Sequence, residues 1–176
     1  MELKKLAVQE LYVLTELFDY NNVEQMISEC THDIQNGIID IFVLYDKDVL
    51  IGELHVMYES DDENYAIRGR RAYLFAFRVR EDFQNKGYGT YLLKTVLAVL
   101  KEHGYSEEVL SAVLYHHENA DGSGPFGKKW TEVPVFARII HLCDLLDQVC
   151  CSDSFDSDTW QKVEAFLQEI TGSIAD

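Results

Sequence analysis

From Leu11 to about Cys30 the apolar residues Leu14, Leu17, Phe18, Val23, Met26 and Ile27 recur among acids at helical rather than alternating spacing. That spacing predicts a helix, which Asn36-Gly37 ends. Two dense runs of Ile, Val, Leu and Phe follow, Ile38 to Tyr45 and Leu50 to Tyr58, separated by the turn Asp46-Lys47-Asp48. They predict a β-hairpin. A polar loop, Ser60 to Arg71, leads into a third strand over Ala72 to Arg80. The next helix, Thr90 to His103, sets Leu92, Leu93, Val96 and Leu100 on one face, carries Lys101 near its end and stops at Gly104.

Beyond Tyr105 strand patterns disappear, and both prolines of the chain, Pro125 and Pro134, fall here. Ser106 is placed to N-cap a helix with Glu107 and Glu108 in its first turn and Val109, Leu110, Val113 and Leu114 as its apolar stripe. A loop over Ala120 to Thr131 interrupts the helical pattern. Pro134 suits the first turn of a further helix that runs to about Val149. The acidic segment Asp153 to Asp158 then supplies a loop and an N-cap, and a last helix buries Trp160, Val163, Phe166, Leu167 and Ile170.

With 176 residues the chain can bury one core, or one small domain with a helical appendage, and is too short for two complete enzymes. A formal charge of -16 argues against coating nucleic acid or an anionic membrane, which takes clustered Lys and Arg over a broad face. The basic residues are uneven. Arg68, Arg70, Arg71, Arg78, Arg80 and Lys86 bracket the glycine turn, which suits a pocket for a phosphorylated ligand or a strand edge kept from aggregating. Cys30, Cys143, Cys150 and Cys151 show no CxxC spacing and no apolar leader precedes them, so the expectation is reduced thiols in the cytoplasm. The adjacent Cys150-Cys151 pair is a minor candidate for a soft metal.

Two strings carry chemistry. In the first, Phe77-Arg78-Val79 leads through Gln84-Asn85-Lys86-Gly87-Tyr88-Gly89-Thr90 into the helix. Glycines at 87 and 89 let the backbone approach a pyrophosphate, and the amides at the helix start donate to its oxygens. A reaction that takes a proton from its substrate also needs a nearby carboxylate or imidazole as base. Glu53 and His55, two apart on one strand and so on one face, are the in-chain candidates.

The spacing Gln-x-x-Gly-x-Gly, with Val79 to Gln84 before it, resembles the acetyl-coenzyme A motif of the GNAT superfamily of N-acetyltransferases. The order helix, hairpin, strand, glycine turn, helix agrees over residues 1–105. The resemblance implies a mixed α/β (α+β) fold, a mostly antiparallel sheet flanked by helices, and acetyl transfer from acetyl-CoA to a primary amine of a small molecule or protein. It implies that Phe77, Arg78 and Val79 hold the pantetheine arm and polarise the thioester, and that Gln84, Asn85, Lys86, Gly87, Tyr88, Gly89 and Thr90 cradle the pyrophosphate. The strand, tyrosine-bearing helix and closing strands that the family places after this helix are not visible. A sheet edge left open is therefore expected to be covered by the tail or by another chain, the latter giving a homodimer.

The second string is His116-His117-Glu118 with Asp121-Gly122-Ser123-Gly124-Pro125, answered by Arg138-Ile139-Ile140-His141-Leu142-Cys143-Asp144. Imidazole and carboxylate suit a first-row metal. The string resembles the C-terminal part of the HD-GYP phosphohydrolase family, which implies His116, His117 and Asp144 as ligands of a divalent metal and Arg138 as a structural or phosphate contact, within a helical segment 106–176. The family's Gly-Tyr-Pro reads Gly124-Pro125-Phe126, and its upstream ligands are replaced by the acetyltransferase-like segment. His32-Asp33 repeats the letters of the family's dyad, but inside the first helix. Three readings follow: an acetyltransferase with a foreign helical tail, a metal-binding phosphohydrolase remnant, and a non-catalytic module that binds a ligand or partner.

Overall fold

The computed structural model describes residues 1–62, 65–150 and 157–171, and the side chains of 147–150 and 157–160 lie outside that description. The chain divides into two compact units, Met1–Tyr105 and Ser106–Asp176. The first holds a four-stranded antiparallel sheet in the order β1-β2-β3-β4, formed by Glu2–Lys5, Ile39–Asp46, Val49–Met57 and Tyr73–Val79. Its helices are α1 (Val23–Gln35) and α2 (Tyr88–Glu102), with 3-10 turns at Val8–Glu16 and Glu81–Phe83.

Strands β2 and β3 are buried almost end to end because both faces of the sheet are covered, which is why they read as unbroken apolar runs. One face packs Ile39, Ile41, Val43 and Leu50 against Leu6, Leu11, Leu14 and the half-buried Met26, Ile27 and Ile34 of α1. Helix α2 lies against β3 and β4 and buries Leu92, Val96, Leu97 and Leu100. At about 25 cal/mol per Å2 of apolar surface, each of these buried side chains stabilises the fold by roughly 1.5–3 kcal/mol.

The predicted helix over Leu11 to Cys30 is two elements. The 3-10 helix Val8–Glu16 ends at Leu17, and α1 begins after Asn22, whose side chain accepts the Gln25 amide at 3.0 Å. Asn22 thus acts as an N-cap in the middle of the predicted helix. Strand β1 was not expected at all. Its Glu-Leu-Lys-Lys carries no strand pattern and is held by pairing with β2, Leu3 opposite Leu44.

The second unit is helical: α3 (Glu107–Tyr115), a 3-10 turn at Trp130–Glu132, α4 (Val135–Cys150) and α5 (Ser157–Ile170). Ser106 occupies the N-cap position of α3, although its hydroxyl makes no cap bond. Ala112, Val133 and Ala137 form a small core with Tyr115 beside it, and Val163 and Ile170 of α5 are buried as expected. Cys151 and the start of the acidic loop lie outside the described residues, as do the side chains of Cys150 and Trp160.

Candidate functional site

Strand β4 borders a cleft of about 330 Å3 lined by Leu17, Phe77, Arg78, Val79, Arg80 and Gln84. The strand is irregular at its centre. Ala76 has φ 49°, and the pairing with β3 shifts register between Glu53 and His55, so β4 carries a bulge where its peptide groups leave the regular ladder. A non-glycine residue in the left-handed region costs stability, and such outliers gather at functional sites.

At the far end of β4 the chain turns into α2. Asn85 (φ 58°) and Gly87 (φ 83°) are both left-handed, and Gly87 is the N-cap of α2. Nothing lies within 4 Å of where a Gly87 side chain would begin, whereas a Cβ at Gly89 would meet the Phe77 ring at 3.4 Å. Side chains fix the turn from three sides: the Gln84 amide donates to the Val79 carbonyl at 3.0 Å, the Lys86 ammonium to the Asp82 carbonyl, and the Tyr88 hydroxyl to Asp46 at 3.1 Å. The cradle residues expected from the sequence, Gln84 to Thr90, are thus contiguous with Phe77, Arg78 and Val79 at one end of the sheet. The basic residues are not all gathered there. Arg68 bonds Glu59 and the Gly37 carbonyl, and Arg78 turns towards Glu53.

Glu53 and His55 do share a face, and His55 Nε2 lies 2.7 Å from a Glu53 oxygen. They are inside the protein, at 0% and 4% exposure. The other Glu53 oxygen accepts from Arg78 at 2.6 Å, the same Arg78 nitrogen reaches the Tyr20 hydroxyl at 3.2 Å, and the guanidinium lies 4.0 Å from the Phe18 ring centroid. The Glu53 carboxylate thus has both oxygens engaged and no exposure. Burial opposes the Arg78 charge, but its bonds to Glu53 and Tyr20 and the Glu53 charge outweigh it and raise its pKa. Burial, followed by the Glu53 charge, raises that of Tyr20. Arg78, expected from the sequence on the cofactor strand, also links the cleft to this buried network, which its sequence position does not reveal.

In the second unit the ligand atoms of His116, His117 and Asp144 lie within 4.8 Å of one another. The His116 Nδ1 is 2.7 Å from the Val113 carbonyl, a contact in which it donates, so that Nε2 carries the free lone pair. The protein packed along one side of the otherwise exposed His117 ring lowers its pKa, with the charges of His116 and His141 adding and that of Asp144 opposing. The donor set of two imidazoles and a carboxylate fits a divalent first-row ion. Sequence reasoning passed over Glu118. It is fully buried and accepts the amides of Phe126, at 2.6 Å, and Lys128, closing the loop that follows the paired histidines.

A bulged edge strand running through a left-handed glycine turn into a helix characterises the α/β domain of the first unit. Residues 7–122 match the model of the acetyltransferase (GNAT) family, about two thirds of the chain, and the protein belongs to that family. Residues 86–170 match the model of the HD domain, so the two matches overlap over 86–122. Similar solved structures include a predicted acetyltransferase with acetyl-CoA from Clostridium acetobutylicum, at 11% identity over 60% of this chain and 76% of that one, TM-score 0.47. An aminoglycoside acetyltransferase from an uncultured soil metagenomic sample is 17% identical over 60% and 72%, TM-score 0.45. The PaiA N-acetyltransferase of Thermoplasma acidophilum, in complex with coenzyme A, is 18% identical over 58% and 73%, TM-score 0.42. No curated protein matches the chain. Among the described residues no helix is long and apolar enough to cross a membrane.

Proposed function

We propose that this protein transfers the acetyl group of acetyl-CoA to a primary amine of a small molecule or protein, and that residues 77–79 and 84–90 hold the donor. The observation that carries this reading is the left-handed turn at Asn85 and Gly87, which opens into α2 at the end of the strand bordering the cleft. The amides of Tyr88, Gly89 and Thr90 stand in the first turn of a helix, where they have no acceptor along the axis, and the helix dipole adds to their attraction for an anion. Gly87 leaves open the space that a pyrophosphate would enter.

Acetyl-CoA supplies the acetyl group as a thioester when bound. The backbone of Phe77, Arg78 and Val79 is given the role of aligning the pantetheine arm, and the bulge at Ala76 that of presenting a peptide N–H to the carbonyl. A donor fixed where negative charge develops is among the largest contributions to acyl transfer. Glu53 and His55 enter as positioning residues, holding the Arg78 side chain at the cleft wall. The net charge of -16 favours a cationic amine as acceptor. The two thiols described, Cys30 and Cys143, are unpaired, which supports a reducing cytoplasm as the place of action, and a second copy covering the β4 edge would make a homodimer. Calorimetric titration with acetyl-CoA, with coenzyme A alongside, tests the reading. Micromolar binding supports it, and folded protein that binds neither overturns it.

A second reading concerns the second unit and does not compete with the first. The 4.8 Å grouping of His116, His117 and Asp144 favours one divalent metal ion. Metal analysis of chelator-free protein tests this, with a His116→Ala/His117→Ala variant expected to lose the ion.

A further inference from the structure

We infer that His141 is a further ligand of that ion, so that the second unit binds a single first-row divalent metal through three imidazoles and one carboxylate. The inference rests on the metal reading just given and adds to it a residue, a coordination number and a stoichiometry.

His141 stands three residues before Asp144 on α4, and residues three apart on a helix are neighbours on its surface. It is 5% exposed, and neither Nδ1 nor Nε2 has a hydrogen-bond partner. Imidazole brings one donor and one acceptor into the interior in its neutral form, and two donors when charged. Withdrawing both nitrogens from water without a partner carries a desolvation cost that nothing recovers, and a buried polar group in that condition calls for a missing partner such as an ion. The ring meets Trp130 edge-on, with centroids 6.5 Å apart, a contact that leaves its nitrogens unsatisfied. The side chains of Trp130 and Arg138 stack, the guanidinium 5.4 Å from the indole centroid, and the Arg138 Nε is likewise buried without a partner.

The closely grouped ligand atoms are those of His116, His117 and Asp144, so the His141 ring has to turn about its side-chain bonds to join them. No hydrogen bond holds it in its present rotamer. Coordination gives a lone pair of His141 the partner it lacks. It also changes the character of the site. Two imidazoles and a carboxylate leave one tetrahedral position open, whereas a third imidazole closes a four-coordinate site. Such a nitrogen-rich set selects zinc, cobalt, nickel or iron over magnesium or calcium, whose ligands are oxygens.

The test uses the full chain after chelator treatment, titrated with Co(II), with metal content, affinity by chelator competition and visible absorption as readouts. The expected wild-type result is one ion per chain with the intense absorption of four-coordinate cobalt. His141→Leu is expected to weaken binding by more than the ~10–100-fold that an outer-shell partner costs, and to replace the spectrum by the weak bands of a higher-coordinate site. The apo His141→Leu protein should melt no lower than wild type, because the imbalanced polar group is gone. If this variant does not fold, His141→Gln takes its place in the same titration, with the same expectation. Loss of the ion in His116→Ala/His117→Ala together with wild-type affinity and spectrum in the His141 variant would overturn the inference and leave the metal reading standing. Failure of wild-type protein to take up cobalt or zinc would overturn both.

Discussion

Replacing Arg78 by methionine decides whether Glu53 belongs to the architecture or to the chemistry. Glu53 is completely buried between Arg78 and His55, with one carboxylate oxygen to each, while the Arg78 side chain is one-third exposed. The two halves of the pair are therefore unequal. Removing the arginine strands a carboxylate in the interior, and breaking a buried ion pair in this way costs about 3–5 kcal/mol. The remaining His55 contact puts the expected loss at the lower end, about 3 kcal/mol. With a urea slope of ~1.5 kcal/mol per molar, the unfolding midpoint should fall by ~2 M. Glu53→Gln should cost less, because the unpaired Arg78 still reaches water and the Tyr20 hydroxyl. The double variant Glu53→Gln/Arg78→Met should recover about half of the Arg78→Met loss, since no lone charge is left inside. Urea unfolding followed by fluorescence of all three proteins measures each step. A loss below about 1 kcal/mol for Arg78→Met, or a double variant as unstable as the sum of the singles, would refute the reasoning.

The glycine turn is tested by Gly89→Leu, whose Cβ would touch the Phe77 ring at 3.4 Å and whose further carbons would fill the approach to the helix start; acetyl-CoA affinity should drop more than ~10-fold because the phosphates are held away from the amides, and unchanged affinity by calorimetry would count against the cradle. Gly124→Ala would bring a Cβ to 2.6 Å from the Glu118 Cα, so backbone has to move. A cost of about 1–3 kcal/mol is expected in thermal unfolding, and an unchanged midpoint would contradict the packing of this loop. Glu118→Gln turns an amide nitrogen towards one of the two backbone N–H groups that the carboxylate accepts, with a similar loss of about 1–3 kcal/mol; hydrogen exchange at Phe126 and Lys128 should quicken, and unaltered protection would speak against the carboxylate's role. Burial, then the charges of Asp33, Glu29 and Glu53, push the Cys30 thiol up to about 11. The raised value keeps Cys30 in the unreactive thiol form until the pH climbs towards 11. Native-state alkylation at pH 8 should mark exposed Cys143 and spare Cys30, and rapid Cys30 labelling at that pH would exclude the buried environment.

Patterns confined to a few neighbouring residues are legible in the amino-acid sequence. The hairpin of β2 and β3, strand β4, the glycine turn and α2 all follow from apolar runs and from residues that stop them, because side-chain period and turn chemistry are local properties. The two family matches follow from two short strings for the same reason, since a glycine turn and a paired-histidine loop are built from contiguous residues. The sequence misleads where local and distant preferences disagree. Asn22 divides an apparently continuous helix by capping its second half, and the four charged or marginal residues of β1 become a strand only because β2 offers them a ladder.

The tertiary structure alone decided what the candidate catalytic and metal residues can reach. Spacing on a strand put Glu53 and His55 on one face, but which face is buried depends on what packs there, and Arg78, Tyr20 and Phe18 come from other elements. The bulge at Ala76 is likewise a product of pairing with β3 and leaves no mark in an apolar strand. His141 lay in plain view inside a helical pattern, and only its burial without a partner gives it meaning. Sequence by itself determined the hairpin, β4, the glycine turn and the helices that follow it, and which candidate phosphate and metal donors are present. Burial, pairing and the partners of charged groups are properties of contacts between distant residues, and these the fold had to supply.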